Sequence, residues 1–573
     1  MDIKRRKLLT GMLSGAVFAP FVTVSPTTAA GILNTSNQDN DVFSFGIASG
    51  DPSDSGVIIW TRINPEYIQN PQTDDLHLVF WPLNQKENSK AIKINADEIK
   101  RENDFTVRIN LDGMMDENQF YHYQFEYGQR SSIIGRCRTL PASTTTLEQL
   151  KLAVLTCQDF TTGYYNAFSH LADEAVDFVV HMGDFIYEYS QYEGFEDSTL
   201  PGRKLTFPSG QKLATTLEDF RHAYKTYRSD KQLQKAMAQH TWILSTDDHD
   251  CADNCYWNYE EDTLGLPSHD SRHQLDAQAL MDIKLSSQKA WFEYVPTRVD
   301  INEDASHPHD YLTIYRNFKF GQLAEIFMTD SRTYRSEPSC DSKDLNDGSQ
   351  CMDIPDPKRT MLGDRQRNWL IDGINTSDSH WKIWGNQTLV AKFGLTGILR
   401  EYQINKDAWD GFPEERKTIA RAIKDNGTNN FVTLTGDLHT SIVTYSKIEY
   451  TNDGIFYPNG DLDNLVGAEF MTPSVSSPHL MDNIRKKMKL SNYKNMTDEF
   501  LESMIWAANP HIQHFRSSIY GYAVMTLKHD IVEWDVYHID KYQPPFLGLA
   551  PKRQVVKATY DPVSYTIEVN DKL

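Results

Sequence analysis

Three short segments, far apart along the chain, each close an apolar run with residue types that bind metals: Leu155-Thr156-Cys157-Gln158-Asp159, Met182-Gly183-Asp184-Phe185-Ile186-Tyr187 and Thr435-Gly436-Asp437-Leu438-His439. Glycine and aspartate are ordinary turn residues, so one such pair says little. The signal lies in what precedes them: Leu152 to Leu155, Phe178 to His181 and Phe431 to Leu434 are runs suited to buried strands. A thiolate, a phenolate, an imidazole and carboxylates are thereby expected to converge at the carboxyl edge of one sheet, where α/β proteins place their ligands.

Each donor has its own chemistry. Asp184 and Tyr187 are three apart, so the turn leaving the strand can aim both at one ion, and a phenolate suits a hard trivalent metal such as Fe(III); Tyr187 can equally be one aromatic of a cluster. Cys157 is either a thiolate ligand, deprotonated by the metal it binds, or a buried structural thiol. In Thr246-Asp247-Asp248-His249-Asp250, after the strand-like Trp242 to Leu244, one carboxylate can bind a metal while His249 donates a proton to a leaving alkoxide. Asp247, Asp248 or Asp250 can be that ligand, or the run can be a solvated acidic turn. Asp437 and His439 have the i, i+2 spacing that puts both on one side of an extended segment. Arg416 either clamps a phosphate bidentately or pairs with Glu414 or Glu415.

These residues need a frame, and from Leu150 onward the sequence supplies strand and helix in alternation. The strand ending at Cys157 is followed by an amphipathic stretch, Tyr164 to Asp177, then by the strand Phe178 to Met182, a βαβ unit. A further helix is expected over Leu217 to Ala238, and later strands end at Asp330 and at Gly385-Asn386-Gln387. Before this, residues 42–140 alternate and turn often, with strand candidates such as Gly56 to Thr61, His77 to Trp81, Phe105 to Ile109 and Phe120 to Phe125. About seven strands there predict a β-sandwich, joined to the rest through Pro141 to Thr146. Residues 546–573 are expected to form a C-terminal extension.

With 573 residues and 39% hydrophobic content, the chain has core material for more than one domain. Its net charge of −22 argues against a general binder of nucleic acid or anionic membranes. Residues 1–30 read as an export signal: Lys4-Arg5-Arg6-Lys7, the apolar stretch Leu8 to Val24, then small residues to Ala30. The paired arginines before Leu8-Leu9 are similar to a twin-arginine signal; an ordinary secretory signal or an uncleaved anchor is the alternative. No later stretch has the length of a membrane span. Of the six cysteines, Cys251 with Cys255 and Cys340 with Cys351 are spaced to close small disulfide loops in an oxidising compartment.

The motifs in order resemble those of metallophosphoesterases, D-x-H, GDxxY, GNH[DE] and GHxH. Cysteine in the first motif makes the chain similar to the alkaline phosphatase D (PhoD) family. So do Phe45 to Pro52, Asp407 to Pro413, Asn509-Pro510-His511, Arg516 and Gly521-Tyr522. The resemblance implies an α/β metallophosphoesterase-like sandwich flanked by helices behind a small Ig- or fibronectin-like all-β domain. It also implies a periplasmic or extracellular phosphomonoesterase or phosphodiesterase with Fe(III) and calcium. By motif, Cys157, Tyr187 and His439 would hold iron and Asp184 would bridge. Asp248 and Asp437 would face calcium, with Asn386 a further donor. His249 would be the acid and Arg416 a substrate contact. The implied reaction is in-line attack on small phosphate esters or diesters by a hydroxide held on the cations. Thr246 and Asp250 depart from the family's tryptophan and glutamate around the DDH motif. A phospholipase D-like diesterase of the same fold and an exported, metal-stabilised binding protein are the rival readings; no GxSxG element supports a serine hydrolase.

Overall fold

The computed structural model describes residues 27–28, 37–38, 41–68, 75–191, 198–266, 275–337, 356–396, 401–403, 405–450, 462–487 and 497–571. The expected export signal, apart from Thr27 and Thr28, and the Cys340–Cys351 pair lie outside the described residues.

The strands that frame the site are β1 (Ile47–Gly50), β2 (Ile58–Arg62), β3 (Thr106–Asn110), β4 (Gln149–Leu155), β5 (Phe178–His181), β6 (Thr241–Leu244), β7 (Arg316–Phe320), β8 (Ala324–Met328) and β9 (Trp381–Gly385). They continue with β10 (Phe431–Thr435), β11 (Ser441–Lys447), β12 (Leu465–Met471), β13 (Ile512–Arg516), β14 (Gly521–Lys528), β15 (Val532–Ile539), β16 (Lys552–Asp561) and β17 (Thr566–Asn570). One ten-stranded sheet runs β17-β16-β15-β14-β4-β5-β6-β1-β2-β3 and a second runs β7-β8-β9-β10-β12-β11-β13. Both are mixed. β4, β5, β6 and β1 are mutually parallel in the first, and β8, β9, β10 and β12 in the second.

Period-two alternation explains how the sheets stack. Leu152 and Val154 of β4 point into a core shared with Ile326, Ile383, Val432 and Leu434 of the second sheet. Ala153 and Leu155 point the other way, against helices α1 (Asn166–Leu171), α2 (Leu217–Arg228), α3 (Lys231–Gln239) and α4 (Ala277–Tyr294). The outer face of the second sheet is covered by α5 (Gly363–Thr376) and α6 (Pro413–Asp425), through Leu370, Ile374, Ile419 and Ile423. The result is a four-layer α/β/β/α sandwich whose parallel strands end along one edge. Beyond β12 lie α7 (Leu480–Lys487) and α8 (Asp498–Ala508).

Two sequence-based boundaries need correction. The N-terminal region has an all-β sheet of its own, built on Leu76–Pro82, Lys90–Ile94, Phe120–Tyr127 and Gly135–Arg138. Its β1, β2 and β3, however, extend the ten-stranded sheet, and Ile47, Ile59 and Ile109 share a core with Leu78, Phe80 and Phe125. Residues 546–573 are no extension either. β16 and β17 complete the same sheet, because Val556, Ala558, Tyr560 and Ile567 alternate into its central core.

Candidate metal centre

Each donor sits where a strand runs out. Cys157 follows β4, Asp184 and Tyr187 follow β5, Asp247 to His249 follow β6, and from the second sheet Asp437 and His439 follow β10. Cys157, Asp184, Asp437 and His439 all adopt the left-handed backbone, with φ of 56°, 57°, 66° and 54°. Such conformations cost side-chain-bearing residues on the order of 1–3 kcal/mol each and gather at functional sites. Glycine makes the close approach possible. A Cβ on Gly183, itself at φ 121°, would lie 2.5 Å from the Asp247 Cβ, and one on Gly436 would lie 2.5 Å from Thr156 Oγ1.

Asp250 ties two of these loops together. Its carboxylate accepts the backbone N–H of Asp184 at 2.9 Å, of Asp247 at 3.0 Å and of Ile186 at 3.4 Å. The Cys157 N–H in turn donates to the Gly183 carbonyl at 3.1 Å, joining the β4 and β5 turns.

The side chains meet in three overlapping groups, each with donor atoms within 4.8 Å of one another: Cys157, Asp184 and His439; Asp184, Asp248 and His249; Asp247, Asp248 and Asp437. Asp184 and Asp248 each belong to two groups, which makes them the natural bridges. The Tyr187 hydroxyl donates to Asp184 Oδ2 at 3.0 Å and lies 2.5 Å from Ser477 Oγ and 3.4 Å from His439 Nε2. His439 Nδ1 donates to the Pro478 carbonyl at 2.6 Å, turning Nε2 toward the cluster. His249 Nδ1 donates to Glu188 Oε2 at 2.8 Å, and its ring lies against Tyr187, centroids 4.3 Å apart.

Burial sets the electrostatics. It pushes the Cys157 thiol and the Asp184 and Asp247 carboxyls well up, and Asp437 up to about 8, with neighbouring carboxylates adding to it. Asp248 goes the other way, because Arg332 and His249 outweigh its burial. Burial brings His439 down to about 4, the neutral form that binds metals. His249 is also depressed by burial, but Glu188, Asp184 and Asp248 prevail and hold it well above the usual imidazole value. A buried set of acids this close is ionised together only if cations stand among them. Hard carboxylate and phenolate oxygens, a thiolate and a neutral imidazole fit metal ions.

The protein's own cation there is Arg332, 1% exposed. Its Nε donates to Asp247 Oδ1 at 2.5 Å, Nη1 to Asp407 Oδ2 at 2.6 Å and Nη2 to Asp437 Oδ1, with Asp248 at 3.6 Å. Arg335 braces it from behind through Asp407 Oδ1 at 2.5 Å and the Cys255 carbonyl at 2.7 Å.

The structure thus gathers Cys157, Asp184, Tyr187, Asp248, His249, Asp437 and His439, and brings in Asp247 as well. Asn386 directly follows β9, its carboxamide hydrogen-bonded to Thr329 and Thr388. Arg416 is a correction: it is buried at the start of α6, pairs with Asp410 at 3.0 Å and the Val390 carbonyl at 3.1 Å, and faces Tyr450, not the cluster. Helix α6 begins at Pro413, which carries the arginine back over the Asp410 turn. Cys251 and Cys255 are a second correction, being buried free thiols that hydrogen-bond to each other. The sequence reading missed Arg332, Arg335, Glu188 and Ser477, and gave Asp407 a place in a family-like block but no role at the site. Two signals were available: Glu188 adjoins Tyr187, and both arginines follow the strand that ends at Asp330.

Fold and donor set together define the class, an α/β protein with a buried cluster of donors suited to cations at the edge of its sheets. Comparison supplies the particular family. Residues 152–536 match the PhoD-like phosphatases and residues 27–141 match the PhoD-like phosphatase N-terminal domain, and the chain belongs to the PhoD-like phosphatase family. It is 29% identical over 517 residues to alkaline phosphatase D of Bacillus subtilis (strain 168), spanning 89% of this chain and 80% of that protein. A solved structure of PhoD superposes with a TM-score of 0.74 at 26% identity, over 93% of each chain. The protein is a phosphoric ester hydrolase.

Proposed function

We propose that the protein is an exported, cation-dependent hydrolase of small phosphate monoesters or diesters working at this cluster. The observation that carries the reading is the sharing of Asp184 and Asp248 among three donor groups. Cys157, Asp184, Tyr187 and His439 would hold Fe(III). Asp248 and Asp437, with Asp247 beside them and Asn386 as a further oxygen donor, would hold Ca(II). When bound, the cations would acidify water and polarise the phosphoryl oxygens.

The chain's own residues do the rest. Arg332 keeps Asp247, Asp437 and Asp407 splayed around one guanidinium, so their outward oxygens are aimed before substrate arrives. Glu188 fixes Nδ1 of His249, leaving the opposite nitrogen to protonate the departing alkoxide. Direct in-line displacement needs no covalent phosphoenzyme, so a chiral phosphorothioate substrate should be inverted.

The twin-arginine-like leader supports export, and among the described residues no helix is long and apolar enough to cross a membrane. The test is elemental analysis of the natively exported protein beside Cys157→Ala, with chromogenic monoester and diester assays. Iron with calcium, both lost with activity in the variant, is the expected result. Unchanged metal and turnover in Cys157→Ala would overturn the assignment.

A further inference from the structure

The turn between β15 and β16 carries an apolar tip that the reaction does not use. Phe546 is 85% exposed, Leu547 67% and Leu549 56%, with Tyr542 at 52% at the base. Folded chains rarely leave large side chains in such a contiguous run without a use for them.

The tip is built, not frayed. Pro544 and Pro545 stiffen its ascent, Leu547 and Gly548 N–H groups close a 3-10 turn onto the Pro544 and Pro545 carbonyls at 3.0 and 3.1 Å, and Gly548 turns the chain at φ 100°. Helix α1 pins the foot: Asn166 Nδ2 donates to the Asp540 and Gln543 carbonyls at 2.8 and 2.9 Å, and His170 Nε2 donates to the Ala550 carbonyl at 2.7 Å. Preorganisation of this kind removes the ordering cost of binding.

The foot also adjoins the metal centre. Lys541 Nζ donates to the Ser476 carbonyl at 2.5 Å, next to the Ser477 that touches Tyr187. Tyr542 meets Tyr520 edge-on at 6.1 Å, and Tyr520 stacks on His479 at 5.3 Å, one residue past the carbonyl that orients His439.

We infer that this tip is a docking element for a phospholipid bilayer surface, inserting Phe546, Leu547 and Leu549 among the acyl chains beside the metal centre. Its layering matches a bilayer, apolar side chains at the apex and an amphipathic tyrosine at the headgroup level. The charge agrees. In a chain of net charge −22, the stretch between Asp540 and Asp561 carries no acid and exposes Arg553 and Lys557, while Lys541 is buried and Lys552 is paired with Glu174. A second copy of the chain fits less well, since the three side chains expose only about 400 Å2, against roughly 800 Å2 per partner in a stable protein pair.

The test is flotation of the full exported protein with phosphatidylcholine vesicles, with and without phosphatidylglycerol, wild type beside the F546S/L547S/L549S variant. Wild type should float with the vesicles, more so with the anionic lipid, and the variant should lose at least about tenfold in partitioning. Melting temperature and hydrolysis of a soluble chromogenic ester should be equal in the two proteins, which separates this inference from the ester reading. Wild type that stays with neither vesicle, or a variant that floats equally well, would overturn it. So would a wild-type dimer that becomes monomeric in the variant without vesicle binding, which would give the tip to a second copy.

Discussion

Replacing Arg332 with methionine removes the one guanidinium that, among the described residues, faces Asp247, Asp248, Asp407 and Asp437 together. At separations near 4 Å and an effective dielectric of 20, each pair is worth about 4 kcal/mol before desolvation. Burial of the arginine and its acids offsets most of that gross attraction. The net loss on deleting one partner of a buried pair is about 3–5 kcal/mol, because the remaining charges are left uncompensated. For a chain of 573 residues, with an unfolding entropy of about 2.1 cal/mol/K per residue, that amounts to a melting temperature lower by roughly 3–4 °C. The assay is thermal unfolding in chelator and again in saturating calcium. Calcium held by these carboxylates would supply the missing positive charge, so the gap between Arg332→Met and wild type should narrow when it is added. Arg332→Lys keeps the charge but not the fork that spans separate carboxylates, and should recover less than half of the loss. A variant melting within a degree or two of wild type in chelator, or a gap that calcium leaves unchanged, would refute the view that Arg332 is the counter-charge of this cluster.

Glu188→Gln removes the carboxylate that helps hold the His249 pKa up, so the alkaline fall in kcat should move to lower pH, with a drop of about 10- to 100-fold at alkaline pH on esters with poor leaving groups. A pH profile that does not move would take His249 out of the acid role. Gly183→Ala should destabilise by about 3 kcal/mol or more and deplete bound metal. Gly210→Ala is its control, left-handed at φ 73° but in open space, and should cost only about 1 kcal/mol in chemical denaturation. Burial lowers Lys541 from 10.5 to about 7, so between those values the unfolded chain holds a proton that the folded chain has lost. That contribution is present above the unfolded pKa and lost as pH falls to about 7, so stability should rise by about 5 kcal/mol from pH 7 to 10.5. In Lys541→Met, unfolding measured across that window should lose this slope; an unaltered slope would place the titration elsewhere.

What the sequence disclosed was local. Cys157, Asp184, Tyr187, Asp437 and His439 lie within six residues of the apolar runs that deliver them, so strand pattern and donor type sufficed to gather them. The alternation of Val556, Ala558, Tyr560 and Ile567 was equally visible, and only the position of that stretch near the end of the chain made it look like an appendage. Arg416 misled for the opposite reason. Its partner Asp410 lies six residues upstream, across the turn that starts α6, and nothing in the spacing tells a clamp for phosphate from a clamp for that turn.

The open choice between Asp247 and Asp248 had no answer in one dimension, because the fold uses both and sends them different ways. Asp248 lies among Asp184 and His249 on one side and Asp437 on the other, whereas Asp247 gives one oxygen to Arg332 and is bound to the β5 turn through the Asp250 carboxylate. Adjacent residues leaving a strand point to opposite faces, so a pair of aspartates at a strand end reaches two neighbourhoods at once. One neighbourhood is the first sheet's own donors; the other is the seam with the second sheet, where Arg332 arrives from β8 and Asp437 from β10. The centre therefore depends on the register between two sheets whose contributing strands are separated by about half the chain. That register is fixed by the Leu152, Val154, Ile383 and Leu434 core beneath it, and no motif records it.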